Sequence, residues 1–146
     1  MPLAPESARA ILDGDLSGWT PAEGWPHKDT ADGLRGVTGG SLGWLVTLDG
    51  AVIGDCGTLG GVRPSGDIEI GYGLAAPYRG QGYGTELVRA LAGWLRARPG
   101  VRRVVAGTLP DNIASRRVLE HAGFTEDGVE AGEVRYALSS LGSTDE

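Results

Sequence analysis

The sequence predicts a mixed α/β (α+β) fold, and three stretches predict it. Asp67 to Leu74 alternates strictly between apolar residues and small or acidic ones, as a half-buried strand does. Gly84, Leu87, Val88, Leu91, Ala92 and Leu95 fall on one face of a helix. Arg102 to Leu109, with Val104-Val105-Ala106 at its centre, reads as a buried strand. Strand, glycine turn, helix and strand together make a βαβ crossover, which brings a parallel pair.

The remaining elements follow in chain order. Ser7 to Leu16 is short and mixed, and can form a helix. Pro21 to Arg35 carries two prolines, Trp25 and His27, with a second possible helix from about Asp29. Gly36 to Ser41 reads as a glycine-rich loop. Leu42 to Leu48 and Ala51 to Asp55 read as strands joined by Asp49-Gly50, a strong hairpin signal. Thr58 to Gly66 reads as a strand end and a Gly/Pro turn. In the alternating strand, Ile68, Ile70, Tyr72 and Leu74 share one face, and Asp67, Glu69, Gly71 and Gly73 the other. Pro99-Gly100 stops the long helix. Asp111 or Asn112 can cap the next helix, which carries Ser115, Val118, Leu119 and Ala122 at helical spacing. Gly123 ends it and Phe124 can fold back. Phe124 to Val129 and Glu133 to Leu138 look like a final antiparallel pair, and Gly142 to Glu146 like a loose tail.

Composition sets bounds. A chain of 146 residues fits one domain, residues 1–146, with a core that needs neither disulfide nor metal. Glycine, 26 of 146, is far above the ordinary share, and it clusters at the ends of apolar runs where turns need positive φ. Net charge is −6, which disfavours general nucleic-acid binding and favours a cationic substrate such as an amine, or serves solubility alone. One cysteine, Cys56, and two histidines, far apart, fail the ligand count for a metal site. No apolar run reaches the length of a membrane span, and the first residues carry no signal-peptide pattern, so a cytoplasmic location is expected. Lysine occurs once against many arginines and alanines, the composition of a GC-rich bacterial genome.

Chemistry concentrates at Arg79-Gly80-Gln81-Gly82-Tyr83-Gly84, between the alternating strand and the long helix. A helix N-terminus offers unpaired N–H groups and a positive dipole end to phosphates. Gly82 and Gly84 let the backbone come close, and Arg79 adds a positive charge. A tight turn with no ligand is the competing reading. The spacing excludes two other phosphate motifs. The third glycine falls one place early for a dinucleotide fingerprint, and no lysine stands where a P-loop needs one.

These residues match the (Gln/Arg)-x-x-Gly-x-(Gly/Ala) motif, and so resemble the GNAT acetyltransferase superfamily. Ile68-Glu69-Ile70-Gly71-Tyr72 looks like its fourth strand. Asn112-Ile113-Ala114-Ser115 and then Gly123-Phe124 are similar to a block of the branch that acetylates ribosomal-protein N-termini. The resemblance runs from about Leu42 to Leu138. It implies a mixed, mostly antiparallel sheet with a splayed central parallel pair and about four helices. It also implies an N-acetyltransferase, which moves the acetyl group of acetyl-CoA directly to a primary amine through a tetrahedral intermediate. The amine belongs to a small molecule or a protein N-terminus. Carried over, Leu74 and Ala75 pair with pantetheine amides. Arg79, Gly80, Gln81, Gly82, Tyr83, Gly84 and Thr85 hold the pyrophosphate, and Asn112 lies beside the thioester arm.

An amine attacks a thioester only when neutral, so an ammonium of pKa ~10 must lose a proton. Glu69 is the candidate base, where the branch often places one, with Asp67 the alternative. Glu69 facing solvent or paired with an arginine is the competing reading. A free N–H near Leu74 would serve the oxyanion. Ser115 matches the family's proton donor to the thiolate, or is a first-turn helix serine bonded to backbone. Trp25, His27 and Tyr72 are candidate substrate-binding residues, and Tyr72 alternates with Ile70 and can equally be core. Two departures bear on the acceptor. The usual first strand is missing before the first helix, which could leave a sheet edge for a homodimer. Gly73 stands where the branch often has tryptophan, which removes bulk and could admit a longer acyl-CoA. A non-catalytic acyl-CoA-binding sensor is the other reading.

Overall fold

The computed structural model describes residues 1–139, and the expected loose tail lies outside them. The chain packs as two compact units, Met1–Gly61 with Ile70–Gln81, and Val62–Glu69 with Gly82 onward. Helices α1 (Pro5–Leu12) and α2 (Thr30–Thr38) and strands β1 (Gly43–Leu48) and β2 (Ala51–Thr58) lie in the first unit. Strand β3 (Asp67–Leu74) runs through both. Helix α3 (Tyr83–Arg96), strand β4 (Arg103–Thr108), helix α4 (Ile113–His121) and strands β5 (Thr125–Glu130) and β6 (Glu133–Ser139) lie in the second. The strand order is β1-β2-β3-β4-β6-β5. Among the described strands only β3 and β4 pair in parallel, through Asp67↔Arg103, Ile68↔Val104 and Glu69↔Val105. This is the mixed, mostly antiparallel sheet with one parallel pair and four helices that the sequence implies.

In the first unit, the β1–β2 hairpin turns at Asp49 and Gly50, both at positive φ, the conformation an Asp-Gly turn supplies at low cost. Ile70–Leu74 of β3 adds to β2 antiparallel. Gly54 and Gly57 of β2 are required by close approach. A Cβ on Gly54 would run into Gly73 O, and one on Gly57 into Leu42 O. The two helices close one core on this sheet, with Ala8, Ile11, Leu34 and Val37 against Trp25, Leu45 and Val52. Full burial of a side chain such as Leu45 stabilises by roughly 1.5–3 kcal/mol. Helix α2 extends past Gly36 to Thr38, through part of the stretch read as a loop. Val37 is 4% exposed and anchors that last turn in the core, which outweighs the poor helix propensity of Gly36. Strand β2 also runs three residues further than its pattern predicts. The chain start lies along β1 as a single bridge, Pro2↔Trp44, with Leu3 N–H donating to Gly43 O at 2.9 Å. Among the described residues no longer strand precedes α1.

In the second unit, α3 buries Val88, Leu91, Ala92 and Leu95, the stripe read from the sequence. β4 buries Val104, Val105 and Ala106, and Leu119, Phe124 and Tyr136 complete that interior. Asn112 caps α4, its Oδ1 accepting from Ser115 N–H at 3.1 Å. At the other end Gly123 takes φ 99° and Phe124 N–H donates back to Leu119 O.

Asp67 and Arg103 stand opposite each other in the parallel ladder and form a two-pronged pair, Nε to Oδ1 at 3.0 Å and an Nη to Oδ2 at 2.9 Å. The guanidinium hydrogen bonds hold the Asp67 carboxyl below its ordinary value. A depressed carboxyl contributes stability that is present above its unfolded value and lost as pH falls through the folded one. Asp67→Asn should therefore flatten the fall in Tm below about pH 4. A thermal-melt series from pH 2 to 7 measures it, and an unchanged acid limb would contradict the assignment.

Candidate functional site

The Arg79–Gly84 segment bends as its glycines allow. Gly80 and Gly82 take φ 75° and 88°, and Gly82 is the N-cap of α3. No side chain caps that helix, and the first internal bond is Glu86 N–H to Gly82 O. Nothing lies within 4 Å of a Cβ built on Gly80 or Gly82, so the space beside both is open. The leading N–H groups of a 14-residue helix thus face an uncapped, open end, the arrangement that suits a phosphate. Tyr83 and Thr85 are partly buried in the first turn, and Gly84 beside them adds no bulk.

Arg79 and Gln81 have local partners. Arg79 Nε donates to Leu74 O at 2.9 Å, and Gln81 Nε2 donates to Pro77 O at 2.8 Å. Both bonds brace the chain between β3 and the turn. Ala75 N–H donates to Ile53 O at 2.7 Å. The Ala75 amide and the Leu74 carbonyl are therefore engaged within the protein.

Glu69 lies between two arginines. An Arg63 Nη donates to its Oε1, and Arg135 approaches Oε1 at 3.3 Å and Oε2 at 3.4 Å. Glu69 and Arg135 side chains are only 15% and 16% exposed, so this pair is held away from most screening water. Gly107 makes the room, since a Cβ there would meet the Arg135 guanidinium. Both carboxylate oxygens of Glu69 are thus engaged by arginine. Asp67, the alternative base, is held by Arg103. Asn112 and Ser115 stand together on the first turn of α4, joined by the capping bond, which accounts for the Asn-x-x-Ser spacing on structural grounds.

The first unit contains a cleft of about 230 Å³ between α2, β1, β2 and the end of β3. His27, Tyr72, Trp44, Asp55 and Cys56 are among its lining residues. Asp55 was not singled out by sequence, yet three other residues converge on it. Trp25 Nε1 and Thr30 Oγ1 each donate to Oδ2 at 2.8 Å, and His27 Nε2 lies 3.3 Å from the same oxygen. The signal was present as a lone acid inside an otherwise apolar and small-residue strand. The Asp55 carboxylate, against the opposing effect of burial, pushes the His27 imidazole above its ordinary value. The imidazole occupies the space that Gly73 leaves. A Cβ on Gly73 would come within 2.7 Å of His27 Cε1. The expectation that Gly73 opens a wider channel is thus corrected, because His27 fills that volume. Trp25 is 5% exposed and acts here as a core residue with one polar handle on Asp55. Burial pushes the Cys56 thiol up to about 12, so it carries almost no thiolate at neutral pH and suits no covalent acyl transfer. Among the described residues no cluster of metal-ligating side chains occurs.

A family model described as an acetyltransferase (GNAT) domain matches residues 3–125. An uncharacterized N-acetyltransferase of Bacillus subtilis, YjdG, is 29% identical over 111 residues, covering 68% of this chain and 66% of that protein. Among solved structures, the aminoglycoside acetyltransferase AAC(6')-Ib in complex with coenzyme A superposes with a TM-score of 0.71 at 20% identity, covering 100% of this chain and 98% of that one. Mycobacterium smegmatis RimJ with CoA-disulfide gives a TM-score of 0.68 at 21% identity, covering 99% and 82%. At these identities the structural likeness concerns the fold. The chain spans about two thirds of the length of the Bacillus relative.

Proposed function

The chain is a member of the GNAT acetyltransferase family, and on that premise we propose that it transfers the acetyl group of acetyl-CoA to a primary amine. The observation that carries the reading is the open, uncapped N-terminus of α3 behind Gly82 at φ 88°. A Cβ would fill the place where a pyrophosphate approaches the backbone. Gly82 to Thr85 would hold that group through their N–H donors, with the helix dipole adding to the attraction. Bound acetyl-CoA supplies an activated thioester carbonyl. Ser115, on the first turn of α4, is the proposed proton donor to the leaving thiolate. Incubation with acetyl-CoA and a panel of amines, followed by assay of free thiol, tests the proposal. Thiol release dependent on both is expected. No release with any amine, together with no acetyl-CoA binding by calorimetry, would overturn it.

Glu69 has a different part in this reading from the one its position implies. Held by Arg63 and Arg135, it serves as an anchor, and the amine loses its proton to water. Glu69→Gln should lower Tm while leaving kcat within about threefold. A fall in kcat of ~10²–10⁴-fold at unchanged Tm would make it the base. The same ion pairs favour a second reading, an acyl-CoA-binding protein without catalysis. That reading gains if acetyl-CoA binds but no amine releases thiol.

A further inference from the structure

The two ring nitrogens of His27 face partners of opposite kind. Asp29 N–H donates to Nδ1 at 3.3 Å, so Nδ1 is an acceptor there and carries no proton. Nε2 is buried and lies 3.3 Å from Asp55 Oδ2, a contact of charge rather than a hydrogen bond of good geometry. A neutral ring thus keeps its proton on Nε2, toward Asp55. A second proton can enter only at Nδ1, and there it meets the Asp29 N–H. The charged ring and the Asp29 hydrogen bond therefore exclude each other.

The two partners hold different elements. Asp29 is the N-cap of α2, and its own side chain makes no cap bond. Its N–H bond to the ring is one tie at the start of that helix, beside Thr30 N–H to His27 O at 3.1 Å. Asp55 stands in β2 and also takes Trp25 Nε1 and Thr30 Oγ1, each at 2.8 Å. The ring is wedged against β3, where a Cβ on Gly73 would lie 2.7 Å from Cε1 and 2.9 Å from Nε2. The His27 and Asp55 side chains are 8% and 14% exposed, so water screens their pairing little. The Asp29 N–H bond, by contrast, is exposed, and that donor passes to water at little cost.

The charged groups around the ring come from several elements. Asp55 favours the protonated form most, burial opposes it, and the Gly73 carbonyl and Asp29 favour it again. Lys28 is the next residue in the chain. Asp32 lines the cleft from α2 and is tied to Arg35 at 2.8 Å. Cys56 lines it from β2 and is kept neutral by burial, and Tyr72 lines it from β3. The Met1 ammonium is bonded to Leu45 O on β1.

We propose that His27 is a proton-operated latch that hands its hold from α2 to β2. Neutral, it ties the start of α2 through Nδ1. Protonated at Nδ1 by solvent, it pairs in full charge with Asp55, and the Asp29 N–H turns to water. Helix α2 forms one wall of the cleft, so the fastening of that wall follows pH. The device lies wholly in the first unit and does not depend on the acetyl-transfer reading.

Nitrogen-15 NMR of the imidazoles in the wild-type chain tests it, with His121 as the one other histidine. Above the His27 midpoint, Nδ1 should be bare and Nε2 protonated. As pH falls, the Asp29 amide resonance should move with the same midpoint as the ring. Its protection from hydrogen exchange should fall about two- to tenfold, the net worth of one hydrogen bond. A neutral ring with its proton on Nδ1, or an Asp29 amide that ignores the His27 midpoint, overturns the inference. Asp55→Asn keeps an oxygen for Trp25 and Thr30 and removes the charge. It should lower the His27 midpoint, and an unchanged midpoint overturns the latch. Thermal melts of the wild type and His27→Gln between about pH 5 and 9 add a readout that packing alone would not move. A histidine raised on folding contributes stability that is whole below its unfolded value of 6.5 and is lost as pH rises through the folded one. The Tm advantage of the wild type should therefore shrink as pH rises, and a gap independent of pH overturns the latch.

Discussion

Replacing Gly82 is expected to weaken acetyl-CoA binding roughly a hundredfold or more without unfolding the protein. Gly82 sits at φ 88° as the N-cap of α3. A valine there meets two separate penalties. The left-handed backbone costs a non-glycine residue about 1–2 kcal/mol, and more for a branched one. The side chain then enters the space beside the helix start, where a Cβ built on Gly82 meets no atom beyond its chain neighbours within 4 Å. Losing two charge-assisted hydrogen bonds at ~1.5–3 kcal/mol each is about two to four decades of affinity. Gly82→Asn separates the penalties, because asparagine tolerates the left-handed region yet still carries a side chain. Calorimetry with acetyl-CoA and a thermal melt on both variants decide the matter. If Gly82→Asn keeps both its Tm and its wild-type affinity, phosphates do not approach this turn.

That test depends on a feature that was legible in the sequence, and the reason is local. Gly82 and the α3 stripe are near neighbours, and their pattern is fixed by helix geometry and by sterics at positive φ. β3 is legible for the same reason, since its alternation reports one packed face over eight residues, Asp67–Leu74. The β1–β2 turn follows from two residues, Asp49 and Gly50. Where the reading stopped short, the deciding contact is long-range. Helix α2 continues past Gly36 because Val37 reaches a core formed by Leu45 and Val52, which lie in other strands. The Gly73 position reads as spare volume until His27, 46 residues earlier in the chain, is found in it. Glu69 matches a family position, and the arginines on either side of it come from positions 63 and 135. Asp55 is the clearest case. Its three polar neighbours come from a segment with two prolines and no periodicity, so only the folded chain brings them to one oxygen.

The Asn112–Ser115 turn poses a related question of support, and Tyr136 answers it. Tyr136 is fully buried on β6, and its hydroxyl joins two residues of α4. Arg116 Nε donates to it at 3.0 Å, and it donates to Glu120 Oε2 at 3.0 Å. Arg116 also donates to Pro110 O, which ties the helix start to the loop before it. Tyr136→Ala removes a large ring from a packed site and leaves Arg116 and Glu120 without their shared partner. Truncation of a buried aromatic costs ~3–5 kcal/mol, and a chain of this size then melts roughly 10–20 °C lower. Tyr136→Phe keeps the ring and should cost only ~1–3 kcal/mol, the penalty of an unmet hydrogen bond. The difference between the two measures packing, and the Phe variant alone measures the hydroxyl. Because the hydroxyl acts on α4, the Phe variant should also raise hydrogen exchange at the first amides of that helix, near Ser115, more than at those of α3. Equal protection of both helices in the Phe variant would mean that packing alone holds α4, and that the tyrosine hydroxyl does not position the turn that carries the proposed proton donor.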